Sequence, residues 1–255
     1  MNAPGQFAPR AGRAPMAGMI AAQAMVEAKL VVFNGEQLLL ALVIPTLLLV
    51  FFTKLPILPL GHQAPVDYLM PGIMALAIMS TAFTGQAITT GFERRYGVLK
   101  RLRGTPLPAA GLVAAKTAAI VAVEALQLAL LAAVGLALGW HPQGDAWQAA
   151  GVLALGTVAF ASLGLLLGGT LRAEATLAVS NLIFIVLLFT GGELVPLGQF
   201  PQPLRIWLEA TPISALTTGL RHSFAASPLP WTQLAVLAAW SALAMGAASV
   251  SFRWE

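Results

Sequence analysis

Between Glu93 and Pro108 the chain reads ERRYGVLKRLRGTPLP, five basic residues and one acid set between two long apolar segments. No other part of the sequence is so dense in charge. Of 255 residues only 9% are charged and 58% are hydrophobic, and the apolar residues come in runs long enough for membrane-crossing helices of about 20 residues. The pattern is that of an all-α integral membrane protein. The net charge of +4 does not point to nucleic acid, because the cations gather at the ends of apolar spans, where they set orientation.

Outward from this cluster, the segment 66–91 runs directly into it and carries Pro71 and Gly72. Before it comes 37–54, where Pro45, lacking a backbone N–H, predicts a kink and Lys54 marks the far end. Residues 17–36 read as an interfacial helix, with Gln23, Glu27 and Asn34 on one side and Lys29 opposite. Residues 1–16, rich in Ala, Gly and Pro, read as a flexible cytosolic tail, and 17–255 as a single transmembrane domain. On the other side of the cluster, 111–139 exceeds a hydrocarbon core of about 30 Å, so it is expected to tilt or to project into the cytosol. Trp140 and Trp147 bracket the connection to 146–171, and 175–192 follows. Pro196, Pro201, Pro203 and Pro212 then break the chain into pieces too short to cross, before a last span at 231–252. Within that broken stretch 203–209 and 214–224 suit short helices, the second with Leu216, Leu220 and Phe224 on one apolar stripe.

Six spans put both termini on one side. Eleven of the fourteen Lys and Arg residues fall there, the cluster with Arg10, Arg13, Lys29, Lys116, Arg172 and Arg253, against Lys54, Arg205 and Arg221 opposite. The termini are therefore expected in the cytoplasm, and the short helices are expected to be external and re-entrant. Irregular backbone at membrane depth must face protein or a cavity, which applies to Gly191, Gly192 and Glu193. The chain has no cysteine, which excludes disulfides, thiolate metal sites and a cysteine nucleophile. His62, His141 and His222 lie in connections, so no histidine-rich metal site is expected. No GxxxxGK[ST] phosphate loop occurs.

Three features resemble the type-two ABC exporter permeases, a family of drug, antibiotic and polysaccharide or lipid exporters. They are ERRYGVLKRLRGTPLP, the stretch GGELVPLGQFPQPLRIWLEATPISALTTGLRHSF at 191–224, and the surface helix ahead of the first span. Glu93, Arg94, Gly97, Leu99, Leu102, Thr105 and Pro106 stand at the family's spacing. Val98 stands where threonine is common, and Thr211 where asparagine is common. The resemblance implies a permease, not an enzyme by itself, that pairs with an identical or homologous second permease. It would couple ATP hydrolysis on a separate ATPase, which holds the ATP and Mg, to outward movement of amphipathic drug-like or lipid-like substrates across the cytoplasmic membrane. The resemblance makes Glu93 to Thr105 a cytosolic coupling helix between spans two and three. Leu99 and Leu102, three apart, would enter a hydrophobic slot on the ATPase, while Arg94, Arg95, Lys100, Arg101 and Arg103 meet acidic rims. Gly97, Val98, Thr105 and Pro106 complete that docking segment, the residue before proline disfavouring the helix. A solvated positive-inside loop accounts for the charges but not for this spacing.

Polar residues inside the spans are the other candidates. An ionisable group near mid-membrane normally faces a cavity or a partner, and Glu124 shares a face with Gln127 in the third span. Two readings stand side by side: Glu124 lines a substrate path, or it is a protonated packing residue. Ser162, Ser180 and Asn181 suit interhelical hydrogen bonds, and Asn181 and Glu193 join Glu124 and Gln127 as path candidates. Gly135 with Gly139 and Gly164 with Gly168 have helix-contact spacing. An intramembrane enzyme would need converging reactive groups, and Glu124 is the sole mid-span carboxylate. The alternative function is a channel or secondary transporter that runs without an ATPase, with Pro45, Pro71 and Gly72 interrupting helices around an ion site.

Overall fold

A computed structural model describes residues 14–33, 35–55, 64–192 and 196–251. Residues 1–13 of the expected N-terminal tail, Asn34, His62, Glu193 and the residues from Phe252 onward lie outside the described residues, and Met16, placed in that tail, begins α1. Among the described residues all regular structure is helical. The elements are α1 (Met16–Phe33), α2 (Gly35–Lys54), α3 (Pro65–Ile78), a π-helical segment (Met79–Gly85), α4 (Gln86–Arg95), α5 (Val98–Arg103), α6 (Ala109–Ala137), α7 (Ala146–Thr170), α8 (Ala173–Thr190), a 3₁₀ turn (Leu197–Gln199), α9 (Gln202–Glu209), α10 (Pro212–Phe224) and α11 (Trp231–Ser251).

Five of these are long and apolar enough to cross a membrane: the continuous 31-residue helix Pro65–Arg95, then α6, α7, α8 and α11. The apolar part of α2, Ala41–Lys54, is shorter. The second span thus runs past its expected end at 91 to Arg95, and α2 continues through Pro45 as one helix. Pro65–Arg95 is the axis of the bundle, since 83% of its most apolar window is buried against 17% for α8 and α11. Its middle widens into the π segment, a form of helix that recurs at functional sites because the looser turn re-aims side chains.

Around that axis α7 packs on α4, the π segment, α10 and α11. The approach is close because Gly164 and Gly168 face the axis: a Cβ on them would lie 2.8 Å from the Phe83 carbonyl oxygen and 2.5 Å from that of Ala87. Of the two glycine pairs, this one is a helix crossing inside the chain. Gly139 is instead a turn residue, at φ +91°, where Trp140 N–H reaches back 2.9 Å to the Gly135 carbonyl and ends α6.

α1 is turned inside out relative to a helix of a soluble protein. Glu27 is buried, while Met25, Val26, Leu30 and Phe33 are exposed, so the polar side faces α6 and the apolar side faces outward. Lys29 is exposed beside them, so α1 meets its surroundings with a mainly apolar side that carries one charge. It also gives the long α6, at about 43 Å for 29 residues, a partner along its first half.

The proline-broken stretch folds as its sequence suggests. Thr211 caps α10 by accepting from Ser214 N–H, Pro212 occupies the first turn, and Leu216 and Leu220 are fully buried. Phe224 meets Trp140 edge-on at 5.0 Å.

Candidate functional site

The motif from Glu93 to Pro106 is two elements rather than one helix. α4 ends at Arg95, Tyr96 and Gly97 form a turn with Gly97 at φ +69°, and α5 covers only Val98–Arg103. A left-handed residue cannot continue a right-handed helix, and glycine adopts that conformation at least cost. Past α5, the Thr105 hydroxyl donates to the Leu102 carbonyl at 2.6 Å and closes the loop ahead of α6.

The two sides of this element do different things. Glu93, expected among the ATPase contacts, turns inward: Lys116 Nζ lies 2.7 Å from its carboxylate and 3.2 Å from Glu27 Oε2. Arg94, also expected at the docking face, reaches the carbonyls of Gly169 and Leu171 at the end of α7, where a helix leaves acceptors unsatisfied and its dipole is negative. Leu99, expected to enter a slot on another protein, is 1% exposed and already fills space within this chain. Arg95 pairs with Glu174 at the start of α8. What faces outward is Tyr96, Val98, Lys100, Arg101, Thr105 and Pro106, with Leu102 half-buried.

The anchoring cluster was not legible as a unit. Lys116 side chain is 3% exposed, Glu27 10% and Glu93 13%, so α1, α4 and α6 meet at one buried cation between two carboxylates. Gln23 adds a donor to Glu27 at 2.9 Å. The available signal was Lys116 itself, the one charge besides Glu124 within α6, on a helix whose neighbours supply two acids. Such a cation needs partners when buried.

The path candidates do not converge. Glu124 is buried and accepts from Thr157 Oγ1 at 2.6 Å, a contact from α6 to α7, and its other oxygen is buried without a hydrogen-bond partner. Gln127 is occupied: its Nε2 donates to the Ala41 carbonyl at 2.6 Å and its Oε1 accepts from Thr81 at 3.0 Å, tying α6 to α2 and to the π segment. That makes it a strut instead of a lining residue. Ser162 and Ser180 bond to carbonyls of their own helices, Val158 and Leu177, and not across helices. Asn181 is exposed on α8.

A bundle of apolar helices, hung on one central helix that ends in an outward-facing basic turn, is the build of a multi-pass membrane protein. The model of the ABC-2 type transporter family matches residues 21–225, most of the chain, and the chain belongs to that family. It is accordingly a permease domain and not a catalytic one. No curated protein matches it.

Proposed function

We propose that this chain is the transmembrane subunit of an ATP-driven exporter and that the turn at 96–97 with α5 docks a separate ATPase carrying the ATP and Mg. The observation that carries this reading is the two-sided build of the element. Its inner side is fixed directly to α6 and α7 and, through Lys116, to α1, and its outer side presents Tyr96, Val98, Lys100 and Arg101. An element free to flex would absorb a push; one braced on these helices passes it into the bundle. α2 serves as the sixth span, both termini are cytoplasmic, and α9 and α10 sit at the external side of the cytoplasmic membrane. A second permease, identical or homologous, completes the pore, and Asn181 on the outer side of α8 favours a protein neighbour over lipid there. The substrates are amphipathic, drug-like or lipid-like molecules. Glu124, whose second oxygen is buried without a hydrogen-bond partner, keeps acceptor capacity for such a path.

Reconstitution with the candidate ATPase tests this. Val98→Asp with Arg101→Glu is expected to abolish co-purification and stimulation of ATP hydrolysis while the chain stays folded. Failure of the wild-type chain to associate with any ATPase would favour an independent channel or secondary transporter.

A further inference from the structure

At the end of the bundle opposite α5, a cavity of about 410 Å³ opens between the start of α3, the 3₁₀ turn, α9, α10 and the start of α11. That volume lies within the range of small-molecule sites. Its wall is half apolar, but in a chain with 9% charged residues the other half is rich in cationic and polar groups: Arg205, Arg221, His222, Tyr68, Thr218 and Gln233, against the single carboxylate of Glu209. Arg221 is held in place, since its Nη2 donates to the Gly192 carbonyl at 2.7 Å and its guanidinium lies 3.9 Å from the centroid of the Tyr68 ring. The Tyr68 hydroxyl donates to the same carbonyl at 3.3 Å. A guanidinium fixed by a carbonyl and a ring face is a preorganised cation. Arg205 meets Glu209 at 2.6 Å, one turn along α9, with both side chains about half exposed. Such a pair contributes little and gives way readily to an incoming anion.

The depth of the cavity says what that anion belongs to. Trp147, Trp207 and Trp231 stand at this same end of the bundle and are 86%, 76% and 71% exposed. Exposed indoles on a membrane protein sit at headgroup level, so the arginines of the cavity lie at that level too.

We propose that this cavity binds the phosphate-bearing headgroup of an anionic amphiphile, with Arg221 as the fixed anchor and Arg205 as the arm that leaves Glu209 for the bound anion. A lipid of the surrounding bilayer and a lipid-like cargo share this chemistry. The site depends on the membrane reading of the fold; only its use for cargo rests on the proposed export function.

The test is native mass spectrometry of the full chain released from nanodiscs holding phosphatidylglycerol and phosphatidylcholine. Wild type is expected to retain phosphatidylglycerol preferentially, and Arg205→Gln to lower that retention roughly tenfold, the loss of one charge-assisted hydrogen bond. Arg221→Lys, which keeps the charge without the planar fork, is expected to lower it as well. Equal retention of both lipids by wild type, or unchanged retention in both variants, would overturn the site. ATP-driven efflux of a phosphate-bearing amphiphile separates the two sources: a fall in Arg205→Gln marks cargo, and unchanged efflux with lost retention marks a resident lipid, the site standing in either case. Association with the ATPase is expected to be at the wild-type level in both variants, so its failure in wild type counts against the coupling reading and leaves the lipid result intact.

Discussion

Lys116 has two acids for one charge. With its side chain 3% exposed between Glu27 and Glu93, the cation holds together three helices that share no other charged contact among those described. Removing one partner from a buried ion cluster leaves uncompensated charge and costs about 3–5 kcal/mol, whereas replacing every member by apolar groups of similar size is often neutral. Lys116→Met is therefore expected to lower the thermal unfolding midpoint of the solubilised chain sharply. The triple variant Glu27→Leu, Glu93→Leu, Lys116→Met is expected to recover most of that loss while coupling to the ATPase stays impaired. A midpoint unchanged in the single variant would show that the cluster holds nothing. Glu124 calls for a different comparison. Glutamine there keeps a carbonyl oxygen for the Thr157 hydroxyl, which now sits 2.6 Å from the carboxylate, so Glu124→Gln is expected to stay within about 1 kcal/mol of wild type. Efflux of a cationic amphiphile is expected to fall in the same variant. If efflux and stability both hold, Glu124 packs helices and does not line the path.

The proposed docking element turns on a single backbone angle. Gly97 sits at φ +69° with open space where a Cβ would point, so Gly97→Ala meets no steric clash and suffers only the left-handed conformation, about 1–2 kcal/mol. That variant is expected to unfold slightly earlier and to lose much of its stimulation of the ATPase, because relaxing the turn swings α5 away from its braced position. Gly18→Ala, a helical site that is equally open, serves as the control and is expected to be neutral or slightly stabilising. The spacing of Gly97, Leu99, Leu102, Thr105 and Pro106 singles out this stretch in the sequence, but as one helix over 93–105 and not as the two elements that Gly97 separates. Its inward side did not show, because Arg94 finds its acceptors on Gly169 and Leu171 and Arg95 its partner on Glu174, more than 70 residues away. Leu99 shows the same limit: an apolar residue three before another fits a slot in a partner or a slot at home, and periodicity does not distinguish them. Most of α10 was legible, since the Leu216, Leu220 stripe expected over 214–224 is its buried face; its start was not, because Pro212, read as a breaker, occupies the first turn with Thr211 as the cap.

For the whole molecule, the number of crossings is decided by α2, whose apolar part is shorter than the five clear spans. Hydropathy alone leaves it open, and the placement of its neighbours supports the proposed sixth span. Glu27 of α1 is tied to Lys116 and Glu93, beside α5, whereas α3 starts at the far end of the axis, where Tyr68 lines the cavity between α10 and α11. A chain that leaves α1 at one end and enters α3 at the other crosses once in between. On the proposed topology α2 is that crossing, the total is six, and the cation count makes the cytoplasm the expected place of both α5 and the N-terminal helix. The absence of cysteine makes this directly measurable, since each introduced thiol is the only one present. In intact cells a membrane-impermeant maleimide is expected to label Gly198→Cys, and to label Ala14→Cys, Thr105→Cys and Ser251→Cys only after permeabilisation. Labelling of Ala14→Cys from outside, with Thr105→Cys still protected, would mean that α2 does not cross, and it would separate α1 from the cluster that joins it to α4 and α6.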